Sequence, residues 1–460
     1  MWKVNLFSGI PLQIYSGFAA SFGMFSYGVQ RGWTAPAIAK LESNESGIPI
    51  TSTQAGWIAS LELITLMFSA VVVIQLLKYF SAKMIIRAQI IPSLLSWIVI
   101  AFGKSIPFYY TSRILCGIVN SCVFCAVPIY ISEISHPRIR GGLMSLVPIG
   151  ISGGFIFSYL FAYKLSLETF ATIAISIPIL NALFVIYLPE SPYYLIFHNK
   201  YDEGKEYLQK LNGTRNIEHD YELIRNDLEI QKLKPGSWKE IFVHPVNRRT
   251  FFRLSVLSLI QEFVGAQCVG SYIHSIVEAS QTEISVEFAT TLFAVVQLVT
   301  NFGITLFMDT SGRKRLGIIG CIGIFITTFV LGVYFLIQQT NDPLLDGFRW
   351  IPLLNLYLFI FFYCVGLNYI VILLAGEMYP TNIKNYGIGL ASVWFGFFGF
   401  IINQLFQIMY NLIGLYIIFW MFSISALFGF VFIYIFIPET KQKTLAEIQI
   451  MLNEIGVKSC

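Results

Sequence analysis

Charge is what this sequence lacks. Of its 460 residues only 12% are charged, as 30 Lys+Arg and 26 Asp+Glu. Soluble domains carry about 25%, so no water-facing surface could enclose this chain. The deficit excludes an ordinary soluble enzyme and a disordered chain. The net charge of +4 is small and its basic residues are dispersed, which excludes a nucleic-acid surface. Histidine is also scarce. His136, His198, His219, His244 and His274 are scattered, so no metal site is expected. Seven cysteines occur, and Cys116, Cys122, Cys125, Cys268, Cys321 and Cys364 fall in apolar runs, where Cys acts as a small hydrophobe. The Cys122/Cys125 spacing would suit a redox or metal pair, but no second pair or histidine accompanies it. No cofactor loop and no nucleophile–base constellation appears, so neither a cofactor nor an enzyme is expected. Gly153-Gly154 reads as a helix-packing pair rather than a phosphate loop. MWKVNLFSGIPLQ lacks the build of a cleaved signal peptide.

What is present is apolar: 56% of the chain. A spanning helix needs roughly 20 apolar residues. Runs of that size lie near 12–36, 55–77, 84–103, 108–131, 143–163, 168–188, 252–276, 287–308, 316–338, 351–376, 386–411 and 413–437. The fold class read from them is an all-α membrane protein with twelve transmembrane helices in two six-helix bundles. The bundles occupy 1–188 and 251–437, and a short tail follows at 438–460. Residues 189–250 form the single long polar stretch. Its charges and apolar residues alternate at helical spacing, as expected of a linker of short amphipathic helices.

Basic residues set the orientation. With both termini cytoplasmic, cytoplasmic segments carry 24 Lys/Arg and external loops four: Lys40, Lys104, Lys164 and Arg349. The sequon at Asn44 then lies outside and is a glycosylation candidate, while that at Asn212 lies inside and stays unmodified. The halves also repeat each other. Glu133 is followed by Ile139-Arg140, and Glu377 by Ile383-Lys384 at the same spacing. Pro189-Glu190-Ser191-Pro192 closes the sixth run and Pro438-Glu439-Thr440-Lys441 the twelfth. Ser311-Gly312-Arg313-Lys314 has an eroded counterpart in Phe80-Ser81-Ala82-Lys83. A parallel duplication of this kind places a substrate site between the halves near the bilayer midplane.

Those motifs, with Arg113…Gly117…Pro128-Ile-Tyr130, Gln261 through Gly265 and Thr444-Leu445-Ala446-Glu447, resemble the sugar porters of the major facilitator superfamily. The resemblance covers essentially the whole chain and is greatest to the insect facilitated trehalose transporters. It implies a pseudo-symmetric fold and facilitative uniport of a trehalose- or glucose-like sugar by alternating access. The expected protein is a monomer in the lipid bilayer of the plasma membrane. It implies a cytoplasmic latch of Glu133, Arg140, Glu190, Arg313, Glu377, Lys384 and Glu439. It implies a substrate site at Gln261, Glu262 and Gln267, with Gln297, Asn301 and Trp394 as further candidates.

The departures from the family matter equally. Lys78 stands at an Asp position, and Ser81 and Ala82 replace Gly and Arg. Tyr193 replaces an Arg, Pro148 a Gln, and Asn368 through Ile372 a Gly-Pro-Ile-Pro-Trp. Glu262 replaces a Gln and Gln267 an Asn. Glu262 either holds sugar hydroxyls, selects a cation, couples to protons, or is a carboxyl protonated or paired inside the bundle. The position of the coupling Asp of proton-linked members is Ser26, which favours uniport. Two rival readings therefore stand beside the sugar carrier: a carrier for another small solute, and a non-transporting sensor with this fold. Arg31 and Glu62 lie at similar depth from the outer side and are expected to form an intramembrane ion pair.

Overall fold

The computed structural model describes all residues except 1–7, 44–47, 214–216, 234–235, 346, 369, 381, 442, 444–446, 449–450 and 453–460. Asn44 and the segment 444–446 thus lie outside the described residues. No strand occurs among the described residues. Eleven described helices are long and apolar enough to cross a membrane. The twelfth crossing element is span one, Ile10–Gly32, continued by Thr34–Glu42. It fails a purely apolar test because its polar residues, among them Gln13, Ser16, Ser26, Gln30 and Arg31, are buried inside the bundle.

Spans two to six are Ser52–Leu76, Ala82–Phe102, Ile106–Ile134, Ile139–Ala162 and Leu167–Ile186. Span seven begins at Pro245, earlier than the apolar run, and reaches Ala279. Proline suits that first position, where its missing N–H costs nothing. Span eight is Val286–Ser311 and span nine Arg313–Asn341. Spans ten to twelve are Ile351–Met378, Lys384–Leu412 and Leu415–Phe436.

Close helix crossings rest on glycine. In the first half, a Cβ on Gly28 would sit 2.2 Å from the Ile151 carbonyl oxygen, and one on Gly154 2.3 Å from that of Phe25. Spans one and five therefore touch backbone to backbone, as small residues permit in membranes. Spans nine and ten meet the same way at Gly320 and Gly366. The halves join along spans two and eleven, where Gln404 Nε2 donates to Ser60 Oγ at 2.8 Å. They also join along spans five and eight, where Asn301 Nδ2 donates to Ser152 Oγ at 2.9 Å.

Between the halves lie four short helices: Pro192–Phe197, Tyr201–Asn212, Glu218–Leu233 and Trp238–Val243. They carry a small core of their own: Ile196, Leu208, Ile217, Tyr221, Ile224 and Leu228. Tyr193 packs on that core, which gives an apolar role to the position where an Arg was expected. The neighbouring Tyr194 hydroxyl is held above its ordinary range by burial and then by the Glu190 carboxylate. Gln13 anchors the linker to span one by donating to Leu211 O at 2.7 Å. At the other end, Asn382 Nδ2 donates to Glu240 Oε2 at 2.9 Å.

Replacing Gly154 by Val drives methyl groups into a fixed backbone, so it should lower stability by about 1–3 kcal/mol. Gly303→Ala, where an added Cβ meets nothing within 4 Å, should leave the unfolding midpoint of the detergent-solubilised protein unchanged in the same thermal assay.

Candidate functional site

A buried charge network links spans one, two and four. Glu62, on span two, is 1% exposed and accepts from two arginines. Arg31 Nη1 approaches its Oε1 at 2.9 Å, and Arg113 Nη1 its Oε2 at 3.0 Å. The expected Arg31–Glu62 pair is present, and Arg113, on span four, adds a second cation. Arg113 also donates to Gln30 O and Thr34 Oγ1, both at 3.2 Å, and its guanidinium lies 4.8 Å from the Trp33 ring centroid. These contacts distribute a charge that lipid could not hold. The second terminal nitrogen of Arg31 leaves the first half altogether. Arg31 Nη2 donates to Gln267 Oε1 at 2.9 Å and to Gln267 O at 3.3 Å. One chain of bonds thus runs Arg113–Glu62–Arg31–Gln267 through spans four, two, one and seven.

Below that chain sits a central cavity with about 80 Å³ open to water. Arg31, Tyr27 and Tyr159 line it from the first half, and Gln261, Gln267, Gln297 and Asn368 from the second. Two helix breaks present backbone to it. Gly265, at φ +88°, breaks span seven, and a side chain there would also strike the Phe422 ring. Span ten breaks between Gly366 and Ile370 without either expected proline. There Asn368 N bonds back five residues to Tyr363 O at 3.0 Å. The freed Asn368 carbonyl accepts from Gln261 Nε2 at 3.1 Å. A polar site lined by the break re-satisfies the backbone, as bilayer energetics require.

Of the six candidate substrate residues, Gln261, Gln267 and Gln297 line this cavity. The other three do not. Asn301 is tied between Ser152 and Asn368. Trp394 stacks on Phe398 at 5.2 Å and packs near Phe251, because it lies on the far face of span eleven. Glu262 follows Gln261 by one helical step and so points away, toward Gly399 and Leu63. Both its oxygens are buried without a hydrogen-bond partner among the described residues. Among the cavity residues missed in the sequence are Tyr27, Tyr159, Tyr363 and Phe395. Nothing in a span rich in aromatics singles out the few that face inward.

The motif charges at the opposite end bond mostly within halves. Glu377 Oε1 accepts from Arg313 Nη2 at 3.1 Å, and its other oxygen from Thr440. Glu439 accepts from the backbone N–H groups of Arg313 and Lys314 at 3.0 and 3.1 Å. A carboxylate there caps the positive end of span nine. In the first half Lys83 reaches Glu190 at 3.8 Å. Arg140 Nη2 donates to Ser135 O at 3.4 Å. No ion pair joins Glu133, Arg140 or Lys384 to an opposite charge among the described residues. Ser81 replaces a motif glycine and caps span three by accepting from Met84 N at 3.3 Å. Lys78 lies over Tyr386 of the other half at 5.2 Å. Pro148 stands in the first turn of the helix Leu146–Ala162, where proline is tolerated. The six described cysteines are free.

Two six-helix halves around a central polar cavity define a membrane carrier. A family model, Sugar (and other) transporter, matches residues 12–452, and the chain belongs to that family. It is an integral multi-pass membrane protein and not an enzyme. The facilitated trehalose transporter Tret1 of Bombyx mori is 27% identical over 96% of this chain and 87% of its own length. The Tret1 of Apis mellifera ligustica is 25% identical over 95% and 88%. Among solved structures, the proton:xylose symporter XylE bound to 6-bromo-6-deoxy-D-glucose superposes at TM-score 0.79 with 19% identity, covering 96% of this chain and 99% of that one. The inward-open form of XylE from E. coli gives 0.74 at 20% identity, covering 95% and 99%.

Glu62→Gln would leave two buried guanidinium groups without their shared counter-charge. Removing one partner of a buried ion pair costs about 3–5 kcal/mol. A correspondingly lowered unfolding midpoint in detergent, larger than that of Glu262→Gln, is the expected result.

Proposed function

We propose that this protein carries a sugar of the trehalose or glucose class down its gradient by alternating access. The observation that carries the reading is the set of amides in the central cavity of a sugar-transporter-family chain. Gln261, Gln267 and Gln297 come from spans seven and eight and face Arg31, Tyr27 and Tyr159 across the interface between the halves. An amide donates and accepts, so three of them match the alternating donor–acceptor character of sugar hydroxyls. The tyrosine rings supply apolar faces for the sugar's C–H surface. The Tret1 relatives named for trehalose support the substrate class.

The cycle follows from the breaks and the bonds. Span seven turns at Gly265 and span ten at Asn368, so their outer segments move without unfolding the bundle. Gln267 exchanges Arg31 for the sugar when the outer path opens. On the inner side, Arg313, Glu377 and Glu439 hold spans nine, ten and twelve together as one rigid half. The weak first-half latch, with Lys83–Glu190 as its one ion pair among the described residues, lowers the barrier to rocking. The chain works as a monomer in the plasma membrane with both termini cytoplasmic. The Lys/Arg asymmetry of 24 against four supports that orientation. Glycosylation at Asn44 is consistent with it.

Expression in oocytes or in a hexose-transport-deficient cell tests the reading. Labelled trehalose or glucose should enter downhill and without accumulation above the external concentration. Absence of uptake of either sugar at normal surface expression overturns it. Gln261→Ala should raise the half-saturating sugar concentration by about 5–150-fold, the worth of one lost polar contact of 1–3 kcal/mol. Glu262→Gln, at a side chain turned from the cavity, should leave that concentration within about twofold, since no sugar contact is lost.

A further inference from the structure

Span seven opens on a basic stretch. Between residues 236 and 260 the sequence has four Lys/Arg, at Lys239, Arg248, Arg249 and Arg253, and one carboxylate, Glu240. Glu240 is engaged elsewhere. Its Oε2 accepts from Asn382, and its backbone oxygen accepts from Asn247 Nδ2 at 3.1 Å. No ion pair joins Lys239, Arg248 or Arg253 to a carboxylate among the described residues. Asn247, Thr250 and Leu254 are buried and fix the inward face of these first turns. At about 100° per residue, Arg248, Phe252, Arg249 and Arg253 follow one another over an arc of about 140° on the opposite face. Phe252 in that arc is 63% exposed. Phe242 and Val243, on the short helix Trp238–Val243, are exposed as well. The Phe242 ring lies 5.0 Å from that of Phe251, so the short helix rests against the same turns. It is also held from the other side. Trp238 packs on Tyr386 of span eleven with ring centroids 4.9 Å apart, and Tyr386 OH donates to Gly236 O at 3.2 Å. The basic arc and its apolar neighbours thus form a fixed platform.

We propose that this platform binds the head group of an anionic glycerophospholipid, with Arg248 and Arg253 on its phosphate and carboxylate charge and Phe242, Val243 and Phe252 beside its acyl chains. The mixture of groups selects that occupant. A soluble phosphate would use the guanidinium groups and leave the exposed apolar side chains in water. A phospholipid supplies both parts, an anion at the polar boundary and hydrocarbon next to it. Lys/Arg clusters where a spanning helix enters the bilayer are drawn to anionic lipid. Arg253 is the telling member. It lies about 12 Å along the helix from Pro245, while orientation of the chain needs basic residues only in the loop. A charge at that depth must meet an anion or return to the polar boundary. Its long stem lets the guanidinium reach back to the level of the phosphate, leaving the methylenes in hydrocarbon. With the termini cytoplasmic, as proposed above, the platform faces the inner leaflet, which is the anionic one.

The test measures binding of a fluorescent short-chain phosphatidylserine to the full-length protein in uncharged detergent micelles. Phosphatidylcholine with the same chains should bind about tenfold more weakly; equal affinity overturns the anionic preference. Arg248→Gln with Arg253→Gln should weaken phosphatidylserine by about tenfold or more, the worth of two basic contacts at a lipid surface. Unchanged affinity overturns the site. Lys200→Gln with Lys210→Gln removes the same charge from exposed linker positions and should leave affinity within about twofold, because distant exposed charges are screened. An equal loss in that variant overturns the platform in favour of net charge alone. If the arginine double variant does not fold, Arg248→Gln by itself, at an exposed side chain, should weaken binding by about threefold or more, and no weakening overturns the site. Water-soluble glycerophosphoserine is added as a competitor. Displacement of the lipid at equal concentration overturns the lipid as occupant and leaves a site for free phosphate compounds. The assay reads neither orientation nor uptake, so its failure leaves the carrier reading standing, and a chain that binds the lipid but moves no sugar overturns the carrier reading alone.

Discussion

The structure depends on the solvation of one carboxylate. Glu62 is buried inside the bundle, 1% exposed, and a charge there persists only when paired. Two arginines pair with it and reach further partners. Arg113 gives its Nη1 to the Gln30 carbonyl and to Thr34 and lays its guanidinium over Trp33, while its Nε and Nη2 have no hydrogen-bond partner among the described residues. Arg31 finds Gln267 in the other half. The need to satisfy buried donors therefore draws four spans together and puts a strong bond across the plane on which the halves must part. The same bond closes the roof of the cavity, so the electrostatics of folding and the access of a substrate are one problem here.

Helix breaks supply the other half of the arrangement. A continuous helix offers a cavity only side chains. At Gly265 and at Gly366–Ile370 the ladder opens and a carbonyl becomes available, and Gln261 takes the one at Asn368. Span ten achieves this without proline. Gly366 lies against Gly320 with no room for a Cβ, and the tight crossing leaves the following residues to turn by a bond five residues back. A motif lost from the sequence is thus replaced by packing. Ser81 and Tyr193 tell the same story at the end that bears the repeated motifs, where one now caps a helix and the other packs on the linker core.

The charges of the repeated motifs are the clearest case of a pattern legible in sequence and reassigned by space. Their order and spacing identify the duplication. Their partners lie mostly within halves, and Glu439 spends itself on the N-terminus of span nine rather than on a side chain across the interface. At this end the second half has Arg313, Glu377 and Glu439 bonded together, and the first half the Lys83–Glu190 contact among the described residues.

By itself the sequence determined the membrane class, the twelve crossings, the linker, the repeat and the charge asymmetry between the two sides. Each depends on local composition or on order along the chain, which folding does not alter. Span one was legible as a run near 12–36, although its buried polar residues keep it below a strict apolar test. The facing of individual side chains was decided by the tertiary structure alone. Gln261 and Glu262 are neighbours in sequence; one reaches the cavity and the other is turned into apolar packing. Trp394 stacks on Phe398 outside the cavity lining, and Asn301, one turn from Gln297, is held by Ser152 and Asn368. Arg113 reaches Glu62 across 51 residues of chain. A helix rotates by about 100° per residue, so an error of one position in reading a face is enough to exchange a ligand for a packing residue, and only the contacts of neighbouring helices set that rotation.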